Sequence, residues 1–140
     1  MRFIPNGPDI PHSLINAHEE GRVVFFCGAG ISSPAGLPLF NGVVEKIYEI
    51  LNIEKTESEK ELIKKEQYDS TLELIEKRLF LDKTSIRLGL HQILKPNYRK
   101  RNARRTHEAL LKLARTLDGD YHIVTTNFDR IFYDIIQKRK

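Results

Sequence analysis

A second cysteine is missing from these 140 residues. Cys27 alone forms no internal disulfide framework and supplies no four-cysteine zinc site, and its place at the end of an apolar run reads as a small buried hydrophobe. Long apolar runs are missing as well. None approaches the roughly 20 residues of a membrane span, and Met1–Asn6 has no signal-peptide core behind it, so the cytoplasm is the expected location. Nor does one sign of charge dominate: 23 basic against 19 acidic side chains leave a formal +4, a mixed soluble surface more than a nucleic-acid signature. What remains is the length of one domain, which buries roughly 68–70% of its extended surface.

The stretch Val23-Val24-Phe25-Phe26-Cys27 reads as a strand buried on both faces, and Gly28-Ala29-Gly30 ends it abruptly. Glycines there let the backbone turn sharply and remove the Cβ atoms that would hold it away from a ligand, so main-chain N–H groups can meet a phosphate. Ser32 and Ser33 add hydroxyls. The third glycine of a complete dinucleotide fingerprint is absent, with Ser33 in its place. A tight strand-to-helix turn is therefore the competing account of the same residues.

Before the strand, Asp9 is placed to cap a short helix running to Glu20, with Leu14, Ile15 and His18 facing inward and Gly21 as its left-handed stop. After it, Gly36 and Pro38 break the chain into a shaped loop. Val44, Ile47, Tyr48 and Leu51 then repeat at helical spacing from Asn41. Residues 54–82 are the most polar part and read as solvated helices with no chemistry of their own. Ile86, Leu90, Ile93 and Leu94 mark a further helix closed by Pro96. The span 41–105 thus reads as a helical insertion. Its last part, Lys95 to Arg105, carries six basic residues and no acid; it suits either a nucleic-acid or acidic partner, or a solvated loop balanced by the acidic segment before it. Thr106 is placed to cap the next helix, with Leu110, Leu113, Ala114 and Leu117 as its stripe and His107 in a packing or capping role.

Asp118-Gly119-Asp120 is a turn, and Tyr121–Thr125 a second strand. Behind it, Phe128, Ile131, Phe132, Ile135 and Ile136 form a helical stripe, with Asn127 at the N-cap and Asp129 in the first turn. Two strands separated by helices imply a parallel α/β sheet, in which ligands sit beyond the carboxyl ends of the strands. Both Gly28–Ser32 and Thr126-Asn127-Phe128-Asp129 lie at such ends and can share one crevice.

Those two motifs, with Gly36-Leu37-Pro38-Leu39-Phe40 and the His107-x-x-Leu110 helix, resemble the sirtuin family, and most closely its sirtuin-like prokaryotic branch. The family's Gly-Ala-Gly-x-Ser is met by Gly28, Ala29, Gly30 and Ser32, and its Thr-Gln-Asn-Ile-Asp by Thr125, Asn127 and Asp129. The resemblance implies a Rossmann-like NAD-binding domain that breaks the nicotinamide–ribose bond. It implies that Gly28, Ala29, Gly30 and Ser32 hold the pyrophosphate and nearby ribose, that Phe40 covers the reacting ribose, that Asn127 is catalytic and positions the ribose or water, and that Asp129 holds the carboxamide. No metal is implied by these residues.

Protein-deacetylating members carry Asp-Phe-Arg where this chain has Leu39-Phe40-Asn41. The branch without that pattern is associated with NAD hydrolysis, often in bacterial anti-phage defence, where the module is joined to a C-terminal sensor domain or partner. The family's catalytic His falls after the Asn-x-Asp helix, beyond Lys140. Residues 1–140 are therefore expected to be the N-terminal part of one NAD-binding domain that is oligomeric when complete. The alternatives are a non-catalytic nucleotide-binding or assembly module and an NAD-dependent protein deacylase.

Overall fold

The chain folds as a mixed α/β structure, mostly helical, around a small parallel sheet. A computed structural model describes residues 1–79 and 83–138. Residues 80–82 of the polar stretch and the last two residues of the chain lie outside the described residues.

Helix α1 spans His12–Glu19 and stops at Gly21, whose φ of +69° is the left-handed geometry expected there. It begins at Pro11 and not at Asp9, because the Asp9 carboxylate is held by the N-terminal ammonium at 2.5 Å. None of its residues is buried, and Leu14 is exposed. Of the inward face predicted for it, Ile15 is half-buried and His18 supplies a tether: its Nε2 lies 2.7 Å from the Leu113 carbonyl, and its ring stands edge-on to Phe25.

Strand β1, Phe25–Cys27, pairs in parallel with β2, Ile123–Thr125, in the register Phe25 to Ile123, Phe26 to Val124 and Cys27 to Thr125. Both are shorter than predicted. The expectation of burial on both faces fails: Cys27 is buried, but Phe26 is 74% exposed, and Val24 and Val124 beside it are also exposed. The cause is the period-2 alternation of a strand. With two strands present, only the side carrying Cys27 packs into the fold.

The chain between the strands is helical, as predicted: α2 (Phe40–Leu51), α3 (Glu57–Lys64), α4 (Tyr68–Arg78), α5 (Lys83–Ile93) and α6 (Arg105–Leu113). Val43, Val44, Ile47 and Tyr48 of α2 pack on Ile75, Ile86 and Ile93, so this insertion has its own apolar cluster. The polar stretch nevertheless holds a fully buried acid. Glu59 closes a capping box with Thr56 and takes two hydrogen bonds from Arg78, at 3.1 and 3.2 Å.

A second cluster, Ala35, Leu37, Ala103, Leu111, Ile131 and Ile135, joins the segment after β1 to α6 and to α7 (Ile131–Gln137). Here the predicted stripe of α6 is met in part, at Ala114 and half-buried Leu110. Leu111, Ala114 and His107 are buried, while Leu113 and Leu117 are exposed. Thr106 does not cap α6, which starts one residue before it with Arg104 at the N-cap position and no side-chain cap.

The basic stretch is folded onto this second cluster. Asn97 N–H donates to the Ala35 carbonyl at 2.8 Å, the Tyr98 hydroxyl donates to Asp134 of α7, and the Arg104 guanidinium stacks 3.9 Å over the Tyr98 ring. Burial, with the Asp134 carboxylate beside it, pushes the Tyr98 hydroxyl up to about 12. Its acidic neighbour is thus on α7. Among the described residues no ion pair joins residues 95–105 to residues 54–82.

Candidate functional site

Beyond β1 the chain enters a turn of 3-10 helix, Ala29–Ala35, which ends at Gly36 with φ +82°. Isoleucine, serine, proline and alanine follow the glycines there, and Pro34 removes a donor a longer α-helix would need. Ser32 is carried inward on this turn and is buried. Beyond β2, residues 126–130 form no helix. The α7 helix opens only at Ile131, whose N–H is received by Asp129 Oδ1 at 3.0 Å. Asp129, one residue before the N-cap position that Arg130 occupies, therefore receives the first N–H of α7, and the expectation that Asn127 caps a helix beginning at Phe128 is overturned.

The Asn127 side chain turns instead to Ser32. Its Nδ2 donates to Ser32 Oγ at 3.1 Å, and Ser32 Oγ donates to Asp129 Oδ2 at 2.7 Å. His107 of α6, fully buried, brings Nε2 to 3.3 Å from the same hydroxyl. Four polar residues from three separate segments therefore meet on one oxygen. Burial lowers the His107 pKa below its ordinary 6.5, against the opposing pull of the Asp129 carboxylate, and so favours the neutral ring. Among the described residues, two buried atoms of this cluster, Asn127 Oδ1 and His107 Nδ1, have no hydrogen-bond partner.

Ser32, Asn127 and Asp129 border a pocket of about 330 Å³ at the carboxyl ends of both strands, within the roughly 300–1,000 Å³ of small-molecule sites, and His107 stands behind them. Of the predicted site residues, Ala29, Ser32, Phe40, Asn127 and Asp129 line it. Leu37, Pro38, Val43 and Leu94 make its apolar wall, and Phe128, 77% exposed, stands at it too. Among the described residues no lysine or arginine lines it. Among the described residues no group of three or more His, Cys, Asp or Glu is arranged to hold a metal.

Gly28 and Gly30 do not line the pocket, and the sharp-turn account of them needs correcting. Gly28 is extended, at φ −103°, and neither glycine has a positive φ. A Cβ placed on either would meet no atom within 4 Å. Neither backbone conformation nor packing within the chain requires glycine at these positions. Open space is what they provide.

Sequence reasoning missed His107 as part of the site and left Glu59 without a partner. The Thr56-x-x-Glu59 spacing of a capping box was a readable sign for the second. For His107, the sign was its place on the buried stripe with Leu111 and Ala114, four and seven positions on.

No protein-family model matches the chain, and no solved structure matches it. It is similar to the protein named "Uncharacterized protein y4cA" of Sinorhizobium fredii (strain NBRC 101917 / NGR234), at 35% identity over 132 residues. The match covers 94% of this chain and 11% of that protein, so the chain spans about one ninth of its relative's length.

Proposed function

We propose that this chain is a sirtuin-like, Rossmann-like NAD-binding domain whose complete form hydrolyses NAD at the nicotinamide–ribose bond. The observation that carries the reading is the meeting of Asn127 and Asp129 with Ser32, across 95 and 97 residues of sequence, at the wall of one apolar pocket. A flat, neutral amide-bearing ring suits such a pocket. The unpartnered Asn127 Oδ1 offers an acceptor to a carboxamide N–H₂ or a ribose hydroxyl. The open space at Gly28 and Gly30 suits a pyrophosphate approaching the main chain.

Loss of neutral nicotinamide leaves an oxocarbenium-like ribosyl cation. What this chain contributes is orientation, through Asn127 and the Phe40 wall, and the negative potential of Asp129. The relative's greater length accommodates a sensor of the kind joined to such modules in anti-phage defence. The test is calorimetric titration with NAD together with chromatographic measurement of nicotinamide release. Binding with release that is lost in Asn127→Asp supports hydrolysis; a folded protein with no affinity for NAD overturns the reading.

A second reading, a nucleotide-binding module without catalysis, is favoured by one feature. Among the described residues Asp129 is the only ionisable side chain lining the pocket, and both its oxygens already accept hydrogen bonds. Tight NAD binding with no nicotinamide release would establish it.

A further inference from the structure

Ser32 has one hydroxyl proton and two lone pairs, and it has three partners. The 2.7 Å contact to Asp129 Oδ2 settles where the proton goes, since two oxygens at that distance without a proton between them would repel. Ser32 is then an acceptor toward Asn127 Nδ2 and toward His107 Nε2. Two lone pairs meet two donors. That assignment requires the His107 proton on Nε2, and it leaves Nδ1 bare, in agreement with the absence of any partner at Nδ1. The edge of the ring is held by Phe132, whose centroid is 4.7 Å away.

We propose that His107 is a positioning residue of the pocket: held as the Nε2–H tautomer, it fixes the Ser32 hydroxyl and through it the orientation of the Asn127 amide. The consequence is at the far end of Asn127. With Ser32 acting as acceptor, Asn127 must turn its N–H₂ inward, which presents Oδ1 as the acceptor for an incoming donor. Were Ser32 free to rotate its proton toward Asn127, the amide would flip and offer N–H₂ to the ligand instead. His107 touches neither the pocket nor any ligand in it. It acts through one hydroxyl.

This inference rests on the NAD reading for its ligand but not for its geometry, and the experiment keeps the two apart. Long-range ¹H–¹⁵N correlation spectra of the ¹⁵N-labelled protein, without ligand, read which ring nitrogen of His107 carries the proton. The Nε2–H tautomer is expected; an Nδ1–H tautomer or an averaged spectrum overturns the proposal. NAD titration of His107→Leu, His107→Gln and His107→Asn is the second arm. A glutamine amide reaches the place of Nε2 and an asparagine amide only that of Nδ1. His107→Leu and His107→Asn are therefore expected to weaken NAD binding about tenfold or more, and His107→Gln to recover most of that loss. Equal affinities for Gln and Asn variants that melt cooperatively overturn the proposal, and the spectrum decides it should the Leu variant not fold. A wild-type protein with the Nε2–H tautomer and no affinity for NAD overturns the NAD reading and supports the placement of Ser32 by His107.

Discussion

Replacing Asn127 by Asp distinguishes a capping residue from a partner of Ser32. At an N-cap the two side chains are equivalent, and the change would be silent. In the structure α7 begins at Ile131, and the Asn127 amide donates to Ser32 Oγ, which in turn donates to Asp129. An aspartate at 127 would set a second carboxylate against a hydroxyl that has one proton to give. Two carboxylate oxygens sharing that hydroxyl lie no more than about 6 Å apart, where unit charges repel by about 3 kcal/mol at an effective dielectric constant near 20. The lost N–H donor costs about 1 kcal/mol more, and partial exposure returns some of the total to solvent, leaving about 2–3 kcal/mol.

The repulsion also fixes a pH dependence. Repulsion between the two carboxylates would hold a shared proton on the folded pair to higher pH than on an unfolded aspartate, so stability is lost as pH rises above the ordinary carboxylate range and stays lost at neutral pH and above. Urea melts of wild type, Asn127→Asp and Asn127→Ala at about pH 8 and about pH 5 measure it as differences, in which unrelated titrations cancel. Asn127→Asp is expected to lose about 2–3 kcal/mol at the higher pH and to regain about half at the lower, while Asn127→Ala loses about 1 kcal/mol at both. An Asp variant as stable as wild type at the higher pH would refute the network centred on Ser32.

Other expectations follow from neighbouring contacts. Arg78→Met strips the buried Glu59 of its cation and should cost about 3 kcal/mol in urea denaturation; a loss under about 1 kcal/mol would mean the capping box alone satisfies that carboxylate. Gly30→Ala should leave the melting temperature unchanged, since its Cβ meets nothing, and Gly30→Val should weaken NAD binding at least tenfold by calorimetry. Unchanged affinity in a folded Gly30→Val protein would detach that glycine from the ligand. Because burial lowers the His107 pKa, the unfolded chain binds its proton first: stability should fall as pH drops below the ordinary 6.5 and level off beneath the folded value. His107→Gln should flatten that slope, and an unchanged slope would assign it to other groups. Burial also raises the Cys27 thiol, so a thiol reagent should stay inert toward the folded protein at neutral pH and react fully in denaturant.

What was legible in the sequence was local. Gly21 and Gly36 stop their segments in left-handed geometry, Pro96 follows the end of α5, and Val44, Ile47 and Tyr48 bury the predicted face of α2. Errors arose where tertiary contacts override a local pattern. The leucines at 110, 111 and 113 of α6 and at 117 beyond its end permit more than one stripe, and α7 and the segment after β1 pack on Leu111, with Phe132 of α7 against His107. Asn127 has the chemistry of an N-cap, yet Asp129 has it too, two residues closer to the helix that forms. The strand was read as doubly buried because Val-Val-Phe-Phe is apolar throughout, and nothing local tells a covered face from a bare one. For the site, the pairing of Ser32 with Asn127 and Asp129 was anticipated from topology as a shared crevice, whereas the fourth member, His107, lay hidden in a stripe assigned to its neighbours.

The sheet cannot be what holds this site together. Three paired residues in each of two strands are too few to close a crossover of some ninety residues, whose ordering entropy is large. What brings Ser32 to within hydrogen-bonding distance of Asn127 and Asp129 is the second apolar cluster. Ala35 follows Ser32 on the same turn and Leu37 lies just past its Gly36 stop, Ile131 follows Asp129 at the head of α7, and Leu111 lies one helical turn beyond His107. Ser32, His107 and Asp129 thus each sit close in sequence to a buried apolar anchor of one and the same cluster. Fixing the anchors fixes the hydroxyl, the imidazole and the carboxylate before any ligand arrives, which is the preorganisation a polar cluster in an apolar pocket requires. Asn127 is the exception. It has no buried apolar neighbour in sequence, Phe128 being exposed, so its orientation depends on the hydrogen bond to Ser32.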